Sequence, residues 1–103
     1  MDYKIKNMIV NALIGVVDNA PTKTAMQFAT YHPSSMVNKE RFDAWIRYIN
    51  SVMQVTSSYV DVSGCVSNIN TVVMQPNPNN EYASKVNNIC QIVLDFARSI
   101  LYL

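Results

Sequence analysis

From Tyr82 to Leu101 the apolar residues Val86, Ile89, Cys90, Val93, Phe96, Ala97 and Ile100 recur at three- and four-residue steps. Five turns of that spacing specify a helix with one buried face, because side chains three and four apart stack on one side of an α-helix. Such a face has to be covered by another element. The rest of the chain offers matching faces. Ile5, Met8, Ile9, Ala12, Leu13, Val16 and Val17 describe an amphipathic helix over about residues 3–17, with Asp2 placed as its N-cap. Phe42, Trp45, Ile46, Ile49, Val52 and Met53 describe another, capped by Asn38 and started by a Val37–Phe42 hydrophobic staple. A shorter helix is expected over residues 22–30, stopped near His32-Pro33 because the residue before a proline is pushed out of the α region.

Between Val55 and Met74 two templates compete. The stretch Val55–Val62 is rich in β-branched residues and has the composition of a strand. Val62, Cys65, Val66, Ile69, Val72 and Val73 fit the helical period better than the alternating one. The expectation is a separate helix capped by Asp61. Gln75–Asn80 contains two prolines and excludes a regular helix, with Asn80 expected to cap the helix that follows. Short connections between amphipathic helices make neighbours antiparallel. The expected fold is therefore all-α, a small antiparallel bundle of about four helices forming one domain over residues 1–103.

Composition narrows the function. Charged residues make up 15% of the chain, against roughly 25% in average soluble domains, and the formal charge is only +1. That balance supplies no sequence-wide attraction for phosphate, so nucleic acid is an unlikely partner. With 50% hydrophobic residues the chain is too apolar for a disordered tail. The apolar run Met8–Val17 is about half the ~20 residues a membrane span needs. Asp18-Asn19-Ala20-Pro21 after it lacks the small-residue pattern of a signal cleavage site. A cytoplasmic location is expected, in the host cell or a virion if the protein is viral. Small size and asparagine-rich composition are associated with phage, viral and mobile-element proteins.

Chemistry is poorly represented. Cys65 and Cys90 both lie on apolar stripes, where a thiol behaves as a small hydrophobe. A single histidine, His32, cannot complete a zinc set, and the carboxylates are scattered. There is no glycine-rich phosphate loop and no nucleophile elbow. No enzyme activity, metal or cofactor is expected.

Binding is the remaining class. Arg41 and Arg47, near the start of a helix, together with Tyr31 and His32, are candidate ligand residues for a small nucleotide at a subunit junction, since a helix N-terminus favours negative charge. A solvated basic face explains the same residues more simply. Val10 and Ile14 widen the apolar face of the first helix, Tyr48 lies off the stripe of its helix, Met36 sits in a loop, and Leu101 and Leu103 belong to an apolar C-terminal run. These six are candidate interface residues, because interface cores are poor in charge and rich in aromatics and methionine. The leading expectation is a non-enzymatic interaction or assembly subunit, acting as a homo-oligomer or inside a larger complex. An oligomeric nucleotide-binding protein and a small helical DNA-binding protein are the alternatives.

Phe28-Ala29-Thr30-Tyr31-His32-Pro33, followed by Glu40-Arg41-Phe42-Asp43-Ala44-Trp45-Ile46-Arg47, locally resembles a small phage family of helical anti-defence proteins. Members of that family oligomerise and sequester cyclic nucleotide signals, so the resemblance implies a nucleotide sponge. It covers about twenty of the 103 residues. The family's later Ser-Arg-Glu-Lys-type segment has no counterpart here and the N-terminal helix is extra, so no ligand residues are carried over.

Overall fold

A computed structural model describes residues 1–21, 39–77 and 82–103. Within them lie four helices and no strand: α1 (Tyr3–Asp18), α2 (Lys39–Thr56), α3 (Ser63–Met74) and α4 (Ala83–Leu101). The expected helix over 22–30, the caps at Asn38 and Asn80 and the staple residue Val37 lie outside the described residues.

Local chemistry explains most of the boundaries. The Asp2 carboxylate accepts the Lys4 N–H at 2.7 Å and caps α1 as expected. At the other end, the backbone and side-chain amides of Asn19 both donate to the Gly15 carbonyl. Helix α2 runs past Met53 to Thr56, whose buried hydroxyl donates to the Val52 carbonyl at 2.8 Å. Only the short turn over 57–60 separates it from the next segment, so the helical period wins over the β-branched composition. Asp61 sits just ahead of α3, where its carboxylate accepts the Ser63 N–H at 2.9 Å and satisfies one of the orphan donors of the first turn. Helix α4 starts at Ala83, later than the Asn80 cap implied. Tyr82 occupies the cap position, and its ring packs on Phe42 with centroids 5.0 Å apart, tying the start of α4 to the start of α2.

The helices pack in the order α2–α1–α4–α3, with α1 between α2 and α4, and α4 between α1 and α3. Each adjacent pair is antiparallel. Lys6 near the start of α1 donates to the Leu101 carbonyl at the end of α4. Trp45 near the start of α2 reaches Val16 near the end of α1. Lys85 at the start of α4 reaches Val73 at the end of α3. Leu13, Val16, Ile49, Ile69, Val86, Ile89, Val93 and Ile100 form the fully buried centre.

This arrangement corrects two expectations. Val10 is only 8% exposed and belongs to the core, because α1 has a neighbour on both flanks. Met8, placed on the core stripe, is an exposed residue at the edge between α1 and α2.

One buried residue had not been singled out. Lys85 is 7% exposed, and its ammonium donates to the carbonyls of Val73 (2.9 Å) and Gln75 (2.6 Å). These oxygens belong to the end of α3, where helix carbonyls lack intrahelical partners and the helix dipole favours a cation. The alkyl stem lies among the apolar residues of α4 while the head closes the neighbouring helix.

Candidate functional site: an uncharged groove between two helices

The core face of α2 is formed by Phe42, Trp45, Ile49, Met53 and Thr56. A second line of uncharged residues runs beside it: Ala44, Tyr48, Ser51 and Val55, at steps of four, three and four. At about 100° per residue, this spacing keeps all four on one flank of the helix. All four are exposed, Tyr48 at 39% and Val55 at 64%. The apolar and uncharged sector of α2 therefore spans roughly 200°, far more than a helix with one buried face needs. Asp43, Arg47, Asn50 and Gln54 occupy the remaining flank.

Helix α1 supplies the facing line, Met8, Ala12, Gly15 and Asn19, again at heptad-like steps. The two lines run antiparallel along one groove. At one end Met8, Ala12, Ser51, Val55 and Tyr59 surround an opening of about 300 Å³. In the middle the helices approach closely, since a Cβ at Gly15 would lie 3.5 Å from the Tyr48 hydroxyl. At the other end Asn19, Pro21, Arg41, Ala44, Trp45 and Tyr48 surround about 330 Å³. Arg41 is the one charged residue among those described as lining either opening.

The candidate residues distribute unevenly over this frame. Tyr48 stands in the groove and Arg41 at its end. Arg47 lines neither opening and lies on the polar flank of α2. Tyr31, His32 and Met36 lie outside the described residues, so the four ligand candidates are not seen together. Ile14 is exposed on the other flank of α1, away from the groove line. Leu101 and Leu103 are exposed at the end of the bundle where α1 begins and α4 stops. An Asp43–Arg47 pair, favoured by spacing, does not form; the Asp43 carboxylate takes Lys39 instead, at 2.7 Å on the solvent side. The groove residues Met8, Ala12, Ala44, Ser51, Val55 and Tyr59 were missed as a set. Their signal in the sequence is the uncharged 4-3-4 spacing beside an already complete core stripe.

Neither cysteine is among the described residues that line the groove. Cys65 is buried and Cys90 half-buried, both as free thiols. Burial pushes the Cys65 thiol up to about 11 and that of Cys90 upward as well, which suppresses the nucleophilic thiolate. Among the described residues, no group of three or more His, Cys, Asp or Glu side chains is placed to hold a metal ion. No helix among them is long and apolar enough to cross a membrane. No family model, curated protein or solved structure matches this chain. The groove itself is therefore the ground for a functional reading.

Proposed function

We propose that this chain works by binding protein along the α1–α2 groove, without catalysis, as a subunit of a homo-oligomer or of a larger assembly. The observation that carries the reading is a line on each helix, Ala44 to Val55 on α2 and Met8 to Gly15 on α1, that bears no charge and borders the groove. Interface cores are depleted in charge and enriched in tyrosine and methionine; Met8 and Tyr48 stand on these lines and Tyr59 lines the groove just beyond α2. The two free thiols are in keeping with a reducing compartment such as the cytoplasm. Native mass spectrometry of protein purified gently from its own cells tests the reading. The wild type is expected to carry protein mass beyond one chain, and Val55→Asp to lose it. Wild-type protein at the mass of a single chain overturns the proposal.

A second reading rests on Arg41, whose position beside Tyr48 offers a guanidinium and an aromatic ring to a phosphorylated, planar ligand. It expects saturable binding of a mono-, di- or cyclic nucleotide that Arg41→Ala abolishes. A panel of such nucleotides that gives no binding retires it.

A further inference from the structure

We infer that two copies of this chain pair by exchanging their α3–α4 halves about the segment 57–62. The fold consists of two antiparallel helix pairs, each with its own pin. The Trp45 indole holds α2 on α1, and the Lys85 ammonium holds α4 on α3. The chain crosses from one pair to the other only through residues 57–62. Yet the most extensive helix contact, α1 on α4, lies between the pairs, where Lys6 also donates to the Leu101 carbonyl. That contact does not require both helices to come from one chain. A second copy supplies an α4 of the same shape and sequence, so complementarity is guaranteed and the joint has the character of a core rather than of a surface. The groove takes no part in it.

The crossing segment lends itself to straightening. It contains no proline, and no glycine occurs between Lys39 and Ser63. Helical hydrogen bonding runs past the end of α2, with the N–H groups of Ser57, Ser58, Tyr59 and Val60 donating to carbonyls three or four residues back. Val62, at φ −103° and ψ −1°, is already in the right-handed helical region, and its carbonyl accepts the Val66 N–H. The reversal is therefore concentrated around Asp61, whose carboxylate holds it by accepting the Ser63 N–H at 2.9 Å. Carrying the helix through Asp61 joins α2 and α3 as one rod over residues 39–74, about 54 Å long. The α3–α4 pair of each copy then docks on the α1–α2 pair of the other, twice by symmetry. Val60 and Val62 pack on the core in the closed turn, so straightening has a cost and the dilute chain stays closed. The α1–α4 contact is the same in both states. The balance thus follows the effective concentration of the closed pairs, on the order of millimolar for a short link.

Refolding of the purified chain tests the exchange. The chain is unfolded in urea, refolded at about 10 µM and at about 1 mM, either side of the balance point or close to it, and separated by size. The lower concentration is expected to return the 11.6 kDa chain, and the higher a substantial fraction at twice that mass. An exchanged dimer parts only when α1 leaves α4. After dilution it is therefore expected to decay at the rate of global unfolding, measured separately by a urea jump. Asp61→Ala removes the cap of the closed turn from both chains and favours helix, so it is expected to raise the dimerisation constant about tenfold or more. Asp61→Pro bars a continuous helix and is expected to leave a folded monomer that forms no dimer. Val55→Asp, in the groove, is expected to change none of this. A chain that yields no dimer at the higher concentration overturns the inference, as does a dimer that dissociates faster than the chain unfolds. A yield indifferent to Asp61→Ala, or an Asp61→Pro chain that dimerises like the wild type, overturns it too. If Asp61→Pro does not fold, the Asp61→Ala yield and the decay rate decide alone. Loss of the dimer in Val55→Asp assigns it to the groove instead, so that the exchange fails and the contact-surface reading stands.

Discussion

The indole N–H of Trp45 donates to the backbone carbonyl of Val16 at 3.0 Å inside the core. Val16 lies in the last turn of α1, where carbonyls have no helical partner, so one side chain both fills the core and closes the neighbouring helix. The bond also fixes the axial offset of α1 against α2, and with it the alignment of the two lines of the groove. Trp45→Phe removes the donor and leaves the carbonyl buried. The expected loss is about 1–3 kcal/mol of unfolding free energy, read from the midpoint of urea denaturation. An unchanged midpoint would show that water replaces the indole at no cost.

Lys85 performs the equivalent task for α3 with a charge. Lys85→Met keeps the stem and removes the ammonium from the Val73 and Gln75 carbonyls. Hydrogen exchange is expected to quicken at the amides of the last turn of α3 while those of α1 keep their protection. Charge-assisted bonds of this kind are worth about 1.5–3 kcal/mol each before the cost of burying the cation is set against them. Equal protection in the variant would mean that the packed stem alone holds α3 in place.

Cys65 sets an alkaline limit on the fold. Its thiol ionises near 9.0 when unburied and near 11 in the folded chain, because burial penalises the thiolate. Folding therefore favours the protonated form. That stabilisation is fully present below pH 9 and is lost as pH rises from 9 to 11. The gap in stability between the wild type and Cys65→Ala is expected to be constant up to about pH 9 and to narrow above it. Alkylation at pH 8 should be slow for Cys65 until the chain is unfolded.

Gly15→Ala is expected to raise stability by about 0.5–1 kcal/mol, the usual gain at a helix interior. The added methyl meets the Tyr48 hydroxyl at 3.5 Å, an ordinary contact, so thermal melting should show the gain. A loss would mean that the close approach of α1 and α2 at this point leaves no room.

Period and capping made the helices legible in the sequence. Asp2 and the Leu13–Val16 stripe define α1, and Cys65, Ile69 and Val72 define α3 despite the β-branched residues before it. Neighbourhood was not legible. The width of α1 at Val10 is the mark of a helix with two neighbours, and a single stripe does not reveal how many flanks will be covered. Lys85 does leave a trace, four residues before Ile89 and eight before Val93 on the core line of α4, but spacing alone does not tell which carbonyls will receive its charge. The groove needed α1 and α2 side by side, since neither line of uncharged residues reads as a site until the other faces it.

The packing order also dictates when the fold can close. Helix α1 meets α2 along one flank, but its more extensive partner is α4, some eighty residues further along the chain. The α3–α4 hairpin can form from local sequence, whereas α1 must hold an apolar flank open until the far end of the chain arrives. Contacts of such separation slow folding and expose apolar surface meanwhile. On the ribosome, then, α1 emerges well before α4, and its flank for that helix stays uncovered until those later residues follow.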